Sequence, residues 1–181
     1  MGAGLLFTRD TRNNAVYPSA GSYHQVRATL YSGTFGSDYA FGHYVLDLRK
    51  YVSPVADHVL AFRGLAELSS GQPPFDLLPQ LGGDVLLRGY YQGRFRDRQL
   101  VAAQAEYRAP VWWRLGAVGF AGVGQVRPSL DGLTWGGFKA SVGGGLRVLL
   151  DPRSGLNIRA DYGWAFDTKT GGFYLNIGEA F

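Results

Sequence analysis

The sequence predicts an all-β fold: an antiparallel transmembrane β-barrel of the outer-membrane type, with about eight or nine strands. Three observations carry this prediction. Short runs that alternate apolar and polar residues recur along the chain, separated by turn-forming clusters. Connection lengths also alternate, compact turns on one side and longer loops on the other, which is the outer-membrane pattern. Finally, Gly172–Phe181 alternates to its end, with Phe173, Leu175, Ile177 and Phe181 on one face and Tyr174, Asn176, Gly178 and Ala180 on the other. An apolar edge of this kind invites aggregation in water, whereas a closing barrel strand carries it in lipid, its terminal aromatic at the interface.

The elements follow in order. The first run is Gly4–Arg12, and the turn Tyr17-Pro-Ser-Ala-Gly21 leads into Ser22–Ser32. Gly33–Asp38 turns into Tyr39–Tyr51, and Val52–Asp57 into His58–Ser69. A long loop rich in glycine and proline occupies residues 70–96. After it come Asp97–Ala109, Leu115–Val126, Phe138–Leu150 and Leu156–Phe166, and a turn over Asp167–Gly172 opens the last strand. Tyr17–Gly21, Ser53–Asp57, Ala109–Arg114 and Asp151–Gly155 are compact and mark the periplasmic side. That places the end of the last strand in the periplasm. Helical periodicity is absent throughout.

Composition agrees. Only 18% of residues are charged, and no apolar run is long enough for a transmembrane helix. Mean hydropathy is near zero, as expected for strands apolar on one face only. The 27 glycines suit curved walls and the 14% aromatics suit interfacial girdles. With no cysteine, disulfides and thiolate metal sites are excluded. The net charge of +4 is dispersed among acids, unlike a nucleic-acid-binding face. The Met1-Gly-Ala-Gly start has no signal-peptide pattern, consistent with a removed targeting segment or a longer polypeptide.

Strand phase sorts the side chains. Leu156, Ile158, Ala160, Tyr162, Trp164 and Phe166 share a face opposite Asn157, Arg159, Asp161 and Gly163. Val101, Ala103, Ala105, Tyr107 and Ala109 oppose Gln104, Glu106 and Arg108, and Leu60, Phe62, Ala66 and Leu68 oppose Arg63 and Glu67. A soluble ligand-binding barrel would show the same period with the apolar face inward. Arginines and carboxylates at mid-strand fit a wet lumen where charges pair, so Arg63, Glu67, Arg159 and Asp161 are assigned to the lumen, with Lys139, Ser141 and Arg147. Trp112 and Trp113, beside a compact turn, read as interfacial anchors.

Three stretches in order, Phe7-Thr-Arg-Asp-Thr-Arg-Asn-Asn-Ala-Val-Tyr-Pro-Ser-Ala-Gly21, Leu87-Arg88-Gly89-Tyr90 in the long loop, and Phe173-Tyr-Leu-Asn-Ile-Gly178, resemble a known family. It is the C-terminal barrel half of the bacterial surface antigen and outer-membrane assembly superfamily, the class of BamA, TamA and FhaC. The resemblance implies that the loop folds into the lumen and that Arg88 pairs with an acidic wall residue. Glu106, which strand phase independently turns inward, is the matching partner. The family's next strand carries Phe-x-Asp-x-Gly, where this chain reads Phe120-Ala-Gly-Val-Gly124. Gly122 thus replaces the aspartate, and Asp161 or Glu67 is the candidate substitute. The terminal strand Phe173, Leu175, Asn176, Ile177, Gly178 and Phe181 corresponds to the family's seam strand.

The family's single-chain barrels have sixteen strands preceded by periplasmic POTRA domains. Residues 1–181 read as one barrel domain without POTRA modules. A fragment, a self-closed barrel of eight strands, and a barrel built from two chains all remain open. The resemblance implies insertion or translocation of proteins or lipids at the outer membrane through a labile seam, without cofactor or catalysis. The partners it implies are outer-membrane lipid, clients bearing β-strand signals, and a second copy or an N-terminal half. The alternatives are a passive anchor, dimerising unit or narrow pore, and a barrel-wall lipid hydrolase using residues such as His43, Ser69 or Ser70. No Gly-x-Ser-x-Gly elbow supports the last, and His24, His43 and His58 lack metal-ligand spacing. Gly143-Gly144-Gly145 lies within a strand and is no phosphate loop.

Overall fold

A computed structural model describes residues Met1–Phe181. Nine long strands form one antiparallel sheet: β1 (Gly2–Asp10), β2 (Gly21–Tyr31), β3 (Phe41–Val52), β4 (Val59–Gly71), β7 (Gln99–Trp112), β8 (Leu115–Arg127), β9 (Lys139–Asp151), β10 (Leu156–Ala165) and β11 (Thr170–Ile177). Two short strands within the long loop, β5 (Gln80–Leu81) and β6 (Phe95–Arg96), pair only with each other. Each long strand neighbours the next in the sheet, so the order is an up-and-down meander whose outermost members are β1 and β11. Each of these is hydrogen-bonded on one side only. The all-β, antiparallel expectation holds, with strand ends within a few residues of those the alternation marks.

The loop between β4 and β7 fixes which face is inside. It folds back against the sheet and buries Leu81, Leu86, Leu87 and Tyr90 against Val45 of β3, Leu65 of β4, Leu100 and Ala102 of β7 and Ala165 of β10. Period-two alternation then turns Tyr107, Tyr162, Trp164, Phe173, Leu175 and Ile177 outward, all substantially exposed. The inner face instead carries Asp47, Gln104, Glu106, Arg108, Arg147, Arg159 and Asp161, all buried. Apolar outside and charged inside is the inverse of a water-soluble barrel and suits a wall immersed in lipid.

One terminal assignment is corrected. The last strand ends at Ile177, and Phe181 does not continue its outward face. Gly178 adopts a left-handed backbone (φ +81°), which resets the alternation and turns the chain across the sheet. Ala180 and Phe181 are buried against Tyr51 and Ala61 inside the mouth. A second correction concerns Ala109–Arg114, read as a compact turn. There β7 runs on to Trp112 through a bulge at Pro110, leaving a reversal of two residues, with Trp113 at φ +47°. Trp112 and Trp113 project from it, 74% and 82% exposed.

Candidate functional site

The loop motif lies at the centre of the lumen. Gly89 (φ +117°) sits directly on the β10 backbone, and a Cβ there would lie 2.9 Å from the Trp164 carbonyl carbon. The wall answers with Gly163, where a Cβ would come within 2.5 Å of the Arg88 main chain. This glycine-on-glycine approach brings the loop close enough for Arg88 to reach both sides of the lumen. Its Nη1 donates to Asp161 Oδ2 at 2.6 Å, its Nη2 donates to Glu106, and its guanidinium lies 3.5 Å from the Phe120 ring centroid. Arg88, Glu106 and Asp161 are almost wholly buried.

These residues belong to a larger network. Arg108 Nε donates to Glu106 Oε1 (2.8 Å). Arg147 donates to Asp161 Oδ1 (2.5 Å) and to Glu179 Oε2 (2.9 Å). Arg159 reaches Asp161 (3.2 Å) and the loop carboxylate Asp84 (3.1 Å). Four arginines, Arg88, Arg108, Arg147 and Arg159, thus meet four carboxylates, Asp84, Glu106, Asp161 and Glu179, in a formally neutral cluster. Neutrality and mutual hydrogen bonding are what make so many buried charges tolerable.

Of the two candidates to replace the missing aspartate at Gly122, Asp161 is the one that meets Arg88. Glu67 is corrected: it faces His43 across the wall at 3.8 Å, away from the loop. Gly122 also has a packing reason, since a Cβ there would press on Leu87 Cδ1 at 3.1 Å. Arg63 likewise lies outside the central cluster, donating with Arg49 to Asp47 on the β3–β4 wall.

The rest of the loop is tied mainly to the C-terminal wall. The Tyr174 hydroxyl of β11 donates to Tyr90 O (2.9 Å) and accepts from the Gly89 N–H (3.0 Å). Asn176 Nδ2 donates to Asp84 Oδ2 (3.0 Å), and Gln104 Nε2 to Val85 O (2.8 Å). The Tyr90 hydroxyl donates to Asp167 in the turn between β10 and β11, and Lys139 Nζ lies 2.7 Å from the same carboxylate. Burial pushes the Asp167 carboxyl up, but the Lys139 and Tyr90 hydrogen bonds outweigh it and hold it below its ordinary value.

At the short-turn end two segments close the mouth. The turn after β1 crosses the lumen: Asn14 Nδ2 donates to Ser154 O (2.9 Å) in the turn between β9 and β10, and Pro18 is buried. The segment after β11 inserts beside it. Glu179 takes hydrogen bonds from Arg147 and from Asn157 Nδ2 (2.8 Å), and Arg108 Nη2 donates to Phe181 O (3.1 Å). The signal for this insertion was present in the sequence. Unbroken alternation would have put the Glu179 carboxylate on the lipid face, where a charge is costly.

The remaining candidates do not assemble into chemistry. The buried Ser69 Oγ and His43 Nε2 have no hydrogen-bond partner, so no base activates this serine. His58 Nδ1 meets the Tyr107 hydroxyl (2.6 Å).

The comparisons agree with this geometry. A family model described as the Omp85 superfamily domain matches residues 2–181. The fold resembles the crystal structure of BamA from Haemophilus ducreyi lacking POTRA domains 1–3, with a TM-score of 0.76 and 16% sequence identity. That match covers 98% of this chain and 42% of the other, so the chain spans less than half the length of the structure it resembles. No curated protein matches the chain.

Proposed function

The chain belongs to the Omp85 superfamily, and on that premise we propose that this outer-membrane barrel protein inserts or translocates client proteins by offering the free edge of β11 as a template for an incoming strand. The observation that carries this reading is the one-sided pairing of β11. Its Gly178 N–H bonds to Asn157 O, and in the register Ile158↔Ile177 the hydrogen-bonded pairs with β10 are therefore those of Gly172, Tyr174 and Asn176. The N–H and C=O groups of Phe173, Leu175 and Ile177 point the other way, toward the open edge. A client strand would satisfy them by β-augmentation while its apolar face joined the exposed side chains of the same three residues.

The loop network supports the template by holding β11 still. Tyr174 and Asn176 fasten the inner face of the strand to the loop, and Arg88 fastens the loop to β7 and β10. Arg88, with Glu106 and Asp161, is thus a positioning residue. Loop and inserted tail together occupy the lumen, which favours a mechanical role over that of an open pore.

Proline substitution tests the edge. In Leu175→Pro the lost N–H faces only the open side, so the barrel should fold; Tyr174→Pro removes a ladder bond to β10 and should not fold normally. The Leu175→Pro protein, reconstituted in liposomes, should lose client-barrel insertion while keeping its folded gel mobility. Insertion at the wild-type rate would remove β11 as the template. A second copy is the competing occupant of this edge, and native mass spectrometry would reveal it at twice the 19.7 kDa of the chain.

A further inference from the structure

The short-turn end contains a cavity of about 440 Å³ between the crossing turn, the reversal at Trp113 and the turn at Pro152. Its lining is strongly cationic: Arg108, Arg114, Arg147 and Arg153 face a single carboxylate, Asp57. The two deep arginines, Arg108 and Arg147, are committed to Glu106, Asp161 and Glu179. The two rim arginines are not. Arg114 lies 4.9 Å from the Trp113 ring centroid, and neither it nor Arg153 has a carboxylate within ion-pair distance. Two buried polar atoms of lining residues also lack hydrogen-bond partners: Arg147 Nη2, a donor, and Asn157 Oδ1, an acceptor.

We propose that this cavity binds the headgroup of an anionic glycerophospholipid from the inner leaflet. Two features converge on that class. The free guanidiniums at the rim match the paired oxygens of a phosphodiester. The rim tryptophan, exposed beside Trp112, places the mouth at the depth where headgroups lie. A lipid held there would tie the crossing turn to the turns after β7 and β9 at the end where the lumen closes. The proposal requires only that the barrel sit in a membrane, and it stands or falls separately from the β11 edge.

The test is native mass spectrometry of the full chain, delipidated in detergent and titrated with phosphatidylglycerol, phosphatidylcholine or inorganic phosphate. Phosphatidylglycerol should give one saturable adduct. Arg114→Gln and Arg153→Gln, both at exposed or half-exposed positions, should each weaken it about tenfold, the value of one charge-assisted hydrogen bond. Arg94→Gln, at the opposite end, should leave it unchanged, and folded gel mobility should be the same in all three. Equal adducts with phosphatidylcholine, or indifference to both rim substitutions, would overturn the proposal. Displacement of the lipid by inorganic phosphate at equal concentration would assign the site to a free anion instead.

Discussion

Glu106 should matter more to the loop than Arg88 does, although the motif arginine is the residue the sequence advertises. Glu106 accepts from Arg88 and Arg108 and lies 3.9 Å from Arg147, so Glu106→Gln leaves three buried guanidiniums sharing one fewer charge. Arg88→Met removes one cation from two carboxylates that keep other partners: Glu106 retains Arg108, and Asp161 retains Arg147 at 2.5 Å and Arg159 at 3.2 Å. Removing one partner of a buried ion pair costs about 3–5 kcal/mol. Arg88→Met therefore belongs at about 3 kcal/mol and Glu106→Gln nearer 5. The double variant restores neutrality among the remaining three arginines and three carboxylates. It should cost less than the two losses added, by about 1–3 kcal/mol. Urea unfolding in detergent micelles, followed by tryptophan fluorescence, measures all three. Additivity of the two substitutions within about 0.5 kcal/mol would refute the shared-network argument, as would a Glu106→Gln variant more stable than Arg88→Met.

Gly163→Ala should detach the loop without unfolding the sheet, because its Cβ collides with the Arg88 main chain and nothing there can yield but the loop; limited proteolysis should then cut between residues 82 and 94, which the parent protein protects. The Tyr90–Asp167–Lys139 contact predicts a pH dependence. A carboxyl held below its ordinary 3.8 contributes stability that is complete above that value and lost as pH falls through the lower folded value. The urea midpoint in detergent micelles should therefore hold level down to about pH 4 and fall below it, and Asp167→Asn should reduce that fall.

Strand positions and facing were legible because both rest on a local rule: a period of two, fixed by backbone geometry, sorts side chains whatever their partners. Glu106, Arg159 and Asp161 could be turned inward from their neighbours alone. What the rule cannot see is a change of phase. A single left-handed residue, Gly178, sends Phe181 inside, and only the carboxylate of Glu179 on the apparent lipid face betrays it. Contacts across the lumen were equally hidden. Asp84 lies within the loop and meets Arg159 and Asn176 only because the loop folds back, and Asn14 finds Ser154 through a turn that crosses the mouth. The partner of Arg88 opposite Glu106 is a choice between Asp161 and Glu67 that phase alone leaves open, since both face inward.

The loop divides the sheet into unequal parts, and this bears on which edge serves as template. Hydrogen bonds from the loop reach β7, β9, β10 and β11, and apolar packing reaches β3 and β4. Nothing from the loop reaches β1, which is exposed on both faces along its whole length. β2 is little better covered, its inner-face Tyr23 and Gln25 bonding to each other and not to the loop. A strand that must order before it can pair pays conformational entropy at the moment of pairing, whereas a strand already fixed by its neighbours does not. β11 is fixed on one side by β10 and on its inner face by Tyr174 and Asn176, with its outward N–H and C=O groups already aligned. β1 has β2 alone. The loop's hydrogen bonds thus preorganise β11, the strand proposed above as the template.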